Sequence, residues 1–228
     1  MKIAVIVAMD KEFIRIKELL EKVEVTNDRG RYFTSGRLGD NEIILYQCGI
    51  GKVNAAIGVS ELIRRYSPHL VVSTGCAGGA APYLEMKDIV VSSQLSYHDV
   101  YCGDAAGSTV YGQVQGMPAV YESPESIVAK ALASGDRIYA GMIVTGDWFV
   151  DTKEKMQERV SHFPQALAVD MESAALAQTC YLYQVPFISF RVVSDLPLKD
   201  TNASQYHDFW AGVAESSFQT TKKFLELL

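Results

Sequence analysis

Three acidic side chains at the ends of two apolar segments are the groups in this chain best suited to chemistry. Asp170 and Glu172 lie at the end of one segment, and Asp195 ends the next one along the chain. The helical pattern between them stops before Pro186, because proline disfavours helical geometry in the residue that precedes it. A carboxylate at an apolar strand end is costly unless a cleft exposes it or a partner pairs with it. Since ligands bind at the carboxyl ends of strands in open α/β sheets, the three acids predict a site there.

Strand and helix patterns alternate along the chain and would position these acids. Strands are predicted at 2–9, 31–38, 41–48, 70–74, 88–93, 138–145, 166–171 and 187–193. Helices are predicted at 11–22, 52–66, 125–133, 153–161, 172–183 and 206–228. Such alternation is typical of one α/β domain, here 1–228, with helices on both faces of a largely parallel sheet.

Two glycine-rich stretches predict a close approach of the backbone to a ligand. Gly49-Ile50-Gly51 precedes a helix, but the third glycine of a dinucleotide fingerprint and the hydroxyl residue of a P-loop are missing, so a tight turn is predicted. The stretch 75–79 is predicted as a turn that could hold a base or a sugar, and a turn with no ligand is the alternative. The stretch 96–117 has no period and is predicted as a loop, which at this length is usually functional or mobile.

Composition excludes several classes of function. Hydrophobic residues make up 48% and charged residues 21% of the chain, and the net charge is −6, so we expect neither nucleic acid nor membrane as a partner. No apolar run approaches the roughly 20 residues of a membrane span, and the N-terminal run is predicted to be a buried strand rather than a secretion signal. The cysteines and histidines are isolated, so we expect reduced thiols in the cytoplasm, no metal and no cofactor.

A series of motifs resembles one family over almost the whole chain. In order they are Ala8-Met9 with Glu12, GIGKVNAA at 49–56, STGCAGG at 73–79, KDIVVS at 87–92, YHDV at 97–100, YGQ at 111–113, TGDWFV at 145–150, HFPQALAVDMES at 162–173 and VPF…RVVSD at 185–195. Each alone is weak, but their joint order and spacing resemble the 5′-methylthioadenosine/S-adenosylhomocysteine nucleosidases of the nucleoside phosphorylase superfamily. The resemblance implies a three-layer α/β/α sandwich around a central twisted, mixed and largely parallel sheet.

The resemblance also implies an activity, in which water cleaves the N-glycosidic bond of 5′-modified adenosines through a transition state like an oxocarbenium ion. Acid help for the departing adenine and activation of water are the two tasks of such a site. Asp195 matches the family's general acid at purine N7, Glu12 the residue that activates water, and Glu172 the carboxylate that holds the ribose hydroxyls. Ser194 and Arg191 would support the acid, whose pKa burial should raise.

The same match assigns further residues to the substrate pocket. Phe149 would stack on adenine, the backbone of Val150 would read the base edge, and Met171 would pack under the sugar. Tyr206 falls where the family places an aromatic residue over the 5′ substituent. The remaining pocket residues that the resemblance implies are Ala8, Met9, Ile50, Cys76, Ala77, Gly78 and Asp170.

Departures from the family pattern concern substrate preference. Asp170 replaces the usual glutamate and is one methylene shorter, and Cys76 replaces a common serine by a weaker hydrogen-bonding group. The loop after Asp99 is longer and lacks the family's usual residues, and 196–202 also departs beside the acid. In the family this loop reaches the neighbouring subunit, so the resemblance implies a homodimer with residues 97–118 near the partner pocket. We expect the chemistry to be kept, while the preferred 5′ substituent stays open.

Two other functions stay open on the residues alone. A phosphorolytic transferase of the same superfamily would need cationic groups to hold phosphate, but the loop after the first strand is mostly acidic. A weakly catalytic nucleoside-binding protein is the other alternative, raised by Asp170 and Cys76. Without the motif order, Glu12 would be assigned to a solvated helix face, Asp195 to a helix N-cap and Glu172 to a helix N-terminus that favours acids.

Overall fold

The computed structural model describes residues 1–103, 110–199 and 214–228. The strands there are β1 Lys2–Val7, β2 Glu21–Asp28, β3 Arg31–Leu38, β4 Asn41–Gln47, β5 Leu70–Gly79, β6 Ile89–Tyr97, β7 Tyr121–Glu122, β8 Ile138–Thr145, β9 Ala166–Asp170 and β10 Phe187–Asp195. The helices are α1 Asp10–Glu18, α2 Lys52–Tyr66, α3 Glu125–Leu132, α4 Lys153–Val160, α5 Ser173–Tyr183 and α6 Ala214–Leu227. None of the helices in these ranges is long and apolar enough to cross a membrane.

All ten strands join one mixed sheet, in the order β10-β6-β8-β9-β5-β1-β4-β3-β2 with β7 beside β6. Because β5 also pairs with β10, the strands β5, β10, β6, β8 and β9 form a closed ring, from which β1 to β4 extend. The predicted three-layer α/β/α fold with a mixed sheet is confirmed. The antiparallel pairings lie in the β2–β4 meander, at β7 and at two joints of the ring.

Helices cover both faces of the sheet because its central strands are apolar on both sides. In β1, Ala4 and Ile6 pack with the buried side chains of α2 and α5, whereas Ile3 and Val5 pack with those of α1, α3 and α6. Successive side chains of a strand point to opposite faces, so a continuous apolar run fits a strand buried on both sides.

The carboxyl ends of three parallel strands meet at one edge of the sheet. β1 is parallel to β5, and β5 is parallel to β10. β9 reaches the same place from the opposite direction, with Val169 paired to Gly78. The register of β10 shifts between Val193 and Asp195, so Ser194 is an extra residue at the end of the strand. A bulge of this kind re-aims the side chains beside it.

The predicted helix 11–22 is wrong at its end, and the strand that follows it is missing from the prediction. α1 ends at Glu18, and β2 begins at Glu21. β2 is the outermost strand of the sheet, and its only apolar residues, Val23 and Val25, are exposed. The sequence of β2 therefore carries no burial pattern from which a strand could be predicted.

The predicted turn at 75–79 is also wrong, because β5 continues as a strand to Gly79. β10 pairs with it in parallel along this stretch, with Arg191 opposite Gly75. β6 likewise runs on to Tyr97, four residues past its predicted end at 93. The predicted start of the last helix, 206–213, lies outside the described residues, and the helix is described from Ala214.

Candidate active site

A pocket opens at the edge where β1, β5, β9 and β10 meet. Its lining includes the predicted residues Ala8, Met9, Glu12, Ile50, Cys76, Ala77, Gly78, Phe149, Val150, Asp170, Met171, Glu172, Ser194 and Asp195. Trp148 and Val169 also line it and are missing from the sequence prediction. Arg191 lies buried behind the lining, and Tyr206 falls outside the residues that the structure describes.

Glu12 is held in the first turn of α1 by three backbone groups. Its Oε2 accepts the N–H groups of Ala8 and Met9, both at 3.0 Å, and its Oε1 accepts that of Cys76 at 3.1 Å. The side chain is buried, and burial raises its pKa, although Arg191 and the backbone donors oppose the shift. A carboxylate that is fixed in this way and has a raised pKa is suited to take a proton from water.

Gly75 keeps Glu12 close to Arg191. A side chain at this position would place its Cβ 2.3 Å from Oε1 of Glu12 and 2.7 Å from Nη1 of Arg191, and its φ of +153° also favours glycine. Glycine is therefore required where β5 passes between the carboxylate and the guanidinium. Gly75 thus lets two charged side chains approach a strand at a place where the sequence predicts a turn.

Arg191 pairs with two acids of the pocket lining. Its Nε lies 2.9 Å from Oδ2 of Asp170, and its Nη2 lies 3.8 Å from Oε2 of Glu172. Burial alone would lower the pKa of Arg191, but these carboxylates and Glu12 raise it. Its described contacts do not include Asp195, and the support of this acid by Arg191 stays a prediction.

Glu172 joins the start of α5 to the glycine turn before α2. Its Oε1 accepts the N–H of Gly51 at 2.9 Å, and burial raises its pKa to about 7 against the opposing charge of Arg191. Asp170, two residues earlier, accepts Thr145 Oγ1 at 2.5 Å and also the hydroxyl of Ser173. Glu172 thus keeps an oxygen near the pocket, whereas Asp170 is engaged by the protein.

Asp195 follows the bulge at the end of β10. Ser194 Oγ donates to its Oδ1 at 2.6 Å, as expected for a residue that supports the acid. The carboxyl is buried, and burial raises its pKa although the serine donor opposes the shift. A carboxyl group with a raised pKa can keep a proton at neutral pH and deliver it to a leaving group.

Aromatic side chains of one loop form the open wall of the pocket. Trp148 and Phe149 are each 48% exposed, and Val150 is buried beside them. Arg159 lies 4.4 Å from the centroid of the Trp148 ring. The position of Trp148 beside Phe149 in the motif TGDWFV is the signal from which its place in the pocket could have been predicted.

Comparisons with known proteins match the sequence and the fold over almost their whole length. A sequence model of the phosphorylase superfamily matches residues 2–226. The chain is 39% identical over 233 positions, and 100% of both chains, to a 5′-methylthioadenosine/S-adenosylhomocysteine nucleosidase of Bacillus thuringiensis (strain Al Hakam). The S-adenosylhomocysteine nucleosidase of Streptococcus pyogenes in complex with 5-methylthiotubericidin has a TM-score of 0.92 at 33% identity, over 100% of this chain and 97% of that one. The corresponding nucleosidase of S. pneumoniae with the transition-state inhibitor MT-ImmA has a TM-score of 0.91 at 32% identity, over 99% of each chain.

Replacing Glu172 by glutamine should stabilise the fold at alkaline pH. The pKa of Glu172 is raised from 4.5 to about 7, so its contribution to stability is complete below pH 4.5 and is lost as the pH rises through 7. Glutamine is neutral throughout, so at pH 8 Glu172→Gln should exceed the wild type in free energy of unfolding by on the order of 2 kcal/mol. The difference should shrink toward pH 5, and chemical denaturation at both pH values measures it.

Glu24→Gln is the matched control, because Glu24 lies on the exposed strand β2. This control should change the free energy of unfolding little at either pH. A difference for Glu172→Gln that is the same at pH 5 and pH 8 would contradict the role given to burial.

Proposed function

This chain belongs to the 5′-methylthioadenosine/S-adenosylhomocysteine nucleosidases of the phosphorylase superfamily, and we propose that its pocket uses two buried carboxyl groups to carry out their reaction with water. The protein is an N-glycosyl hydrolase that converts these nucleosides to adenine and the 5′-thioribose product. The C1′–N9 bond breaks, the oxygen of water joins C1′, and adenine leaves with a proton. The observation that carries the mechanism is that Glu12 and Asp195, both with raised pKa, line one pocket.

Asp195 acts as the general acid at adenine. Positive charge develops on the sugar as the bond breaks, and protonation at N7 lets the base leave as a neutral molecule. The raised pKa of Asp195 favours the protonated form that this step needs. The hydrogen bond from Ser194 fixes Oδ1 of Asp195, and this contact therefore also limits the orientation of Oδ2.

Glu12 acts on water at the other end of the reaction. The three backbone donors fix the orientation of its carboxylate, and Gly75 admits Arg191 to the same place. Arg191 stabilises the ionised form of Glu12, and burial favours the form that has taken up a proton. These opposed effects support a group that accepts a proton when the water attacks C1′.

The remaining lining binds the nucleoside. Glu172 accepts hydrogen bonds from the ribose hydroxyls, since one of its oxygens is held by Gly51 and the other faces Arg191 only at 3.8 Å. Phe149 stacks on adenine, and Met171 packs under the sugar. Tyr206 remains the proposed contact of the 5′ substituent. Among the described residues that line the pocket none is lysine or arginine, which favours water over phosphate as the nucleophile.

The four cysteines, all within the described residues, are free thiols. Free thiols fit a reducing compartment, so we place the protein in the cytoplasm, which cell fractionation can test.

A second copy of this chain covers an apolar surface next to the pocket. Val53 and Ile57 of α2 are 70% and 47% exposed, and Tyr181 and Leu182 at the end of α5 are 54% and 59% exposed. The two helices pack against each other, and Ile50, which lines the pocket, is 52% exposed beside them. Exposed apolar surface of this extent marks interaction sites, which supports the homodimer and a place for residues 97–118 near the partner pocket.

Adenine release tests the proposed reaction directly. 5′-Methylthioadenosine, S-adenosylhomocysteine and adenosine are each incubated with the protein, with and without phosphate. Adenine should appear without phosphate, and faster from the two thioethers than from adenosine. A strict need for phosphate would make the protein a phosphorylase, and tight binding without release would make it a nucleoside-binding protein.

Asp195→Asn and Glu12→Gln should each lower kcat by roughly 10²-fold or more, because an amide neither donates the carboxyl proton nor accepts one from water. Both side chains keep their size, so the Kd for substrate should change only a few-fold. Single-turnover adenine release and calorimetry separate the two quantities.

Glu18→Gln and Asp136→Asn are the matched controls for these substitutions. Glu18 lies on the same helix as Glu12 but is exposed, and Asp136 is an exposed aspartate. Both controls should keep the wild-type kcat. A kcat near that of the wild type in Asp195→Asn or Glu12→Gln would contradict the catalytic role proposed for that residue.

Ile57→Asp should convert the dimer into monomers, because it places a charge in the apolar contact of α2. Sedimentation velocity measures the state of the protein. Ile14→Asp is the control, since Ile14 is 53% exposed on α1, which packs on the other face of the sheet. A wild type that sediments as a fully active monomer would contradict the dimer.

A further inference from the structure

Three charged side chains beside the pocket have no part in the chemistry proposed above. Lys52 begins α2, Asp99 follows β6, and Asp147 follows β8. The ammonium group of Lys52 lies 2.8 Å and 2.7 Å from the two oxygens of Asp99, and 3.9 Å from Oδ2 of Asp147. It also lies 5.5 Å from the centroid of the Tyr97 ring. None of these residues lines the pocket.

Backbone hydrogen bonds connect this cluster of Lys52, Asp99 and Asp147 to the loop that forms the aromatic wall. The N–H of Asp147 donates to Oδ2 of Asp99 at 2.9 Å, and the N–H of Lys52 donates to Oδ1 of Asp147 at 2.8 Å. Trp148 and Phe149 follow directly and are each 48% exposed. The cluster therefore holds the loop at the residue before its aromatic side chains.

Two consecutive N–H groups connect Glu172 to the loop that carries the aromatic side chains of the pocket. The N–H of Gly51 donates to Glu172, and the next N–H along the chain, that of Lys52, donates to Asp147. Gly51 has a φ of +94°, and a Cβ there would lie 3.0 Å from Oδ1 of Asp147. The neighbouring residues Gly51 and Lys52 thus connect Glu172, the proposed ribose contact, to the loop that carries Phe149, the proposed adenine contact.

The ion pair within the cluster is partly shielded from solvent. The side chains of Lys52 and Asp99 are 24% and 12% exposed, while that of Asp147 is 47% exposed. Exposed ion pairs contribute little to stability. A partly buried pair whose carboxylate also accepts a backbone N–H stabilises the local structure more, so removing one partner costs more free energy.

We propose that Lys52 and Asp99 are positioning residues that hold the loop 146–150 against adenine and set its distance from Glu172. This inference rests on the proposed function for the identity of the base. A displaced loop binds the base less well in the substrate and in the transition state alike, so the expected defect lies in binding and not in the chemical step.

Lys52→Met and Asp99→Asn test the proposal. Each should raise the KM for 5′-methylthioadenosine and the Kd for adenine by about tenfold while kcat changes less than about threefold. The double variant should be no worse than either single one, because both remove the same ion pair. Lys52→Arg keeps the charge and should restore both constants to within about threefold of the wild type. The shape of the pH profile of kcat should stay unchanged, since neither residue is the acid or the base.

Lys222→Met is the matched control, because it removes a lysine that pairs with Glu226 on the exposed side of α6. It should leave KM, kcat and the Kd for adenine at their wild-type values. If Lys52→Met does not fold, Asp147→Ala replaces it, since that side chain is 47% exposed and its loss removes the contacts of the loop with the N–H and the ammonium group of Lys52.

Amide hydrogen exchange of residues 146–150 gives a readout that does not depend on activity. Exchange there should be faster in Lys52→Met than in the wild type and in Lys222→Met. Unchanged exchange, unchanged KM and Kd, or a loss of kcat at constant KM would each overturn the proposal. A wild type that releases no adenine would instead refute the proposed function, and the exchange result would still decide whether the cluster holds the loop.

Discussion

Four carboxyl groups line one largely apolar pocket, and the buried guanidinium of Arg191 is the cation beside three of them. Burial raises the pKa of Glu12 and Glu172, and the charge of Arg191 opposes that shift at both. Removing Arg191 would leave these buried carboxylates without their cation, which costs about 3–5 kcal/mol. Asp195 lies outside this arrangement, and its pKa is raised without an opposing cation among the causes. A single arginine therefore sets Glu12 and Glu172 apart from Asp195, because its charge favours the ionised form of the first two alone.

This separation depends on how the sheet is built. β5 carries Gly75 between Glu12 and Arg191, and the parallel partner of β5 carries Arg191 opposite that glycine. Three residues later β10 bulges at Ser194, and a bulge re-aims the side chains beside it, here that of Asp195. The closed ring of five strands fixes both ends of this arrangement, because β10 is hydrogen-bonded on both sides. A rigid scaffold of this kind is what holds catalytic groups in a productive geometry.

The alternating elements are predicted from apolar periodicity, which is a local property of the chain. Most of the pocket lining is predicted from the family resemblance, which rests on motifs spread over almost the whole chain. The sequence did not predict β2, whose exposed residues carry no burial pattern, or the ring closure, which depends on pairing between distant strands. The family resemblance assigns Arg191 to the support of Asp195, whereas its ion pairs in the structure are with Asp170 and Glu172. These pairs depend on how separate elements meet, which a local pattern does not predict.

The two departures in the pocket fall where the side chain has the least influence on the reaction. Cys76 supports Glu12 through its backbone N–H, and this donor is the same for serine and cysteine. Asp170 accepts hydrogen bonds from Thr145 and Ser173 and pairs with Arg191, so its oxygens are engaged by the protein rather than directed at a sugar. The chemistry can therefore persist with both departures, and differences in substrate preference must arise at the open wall and beyond it.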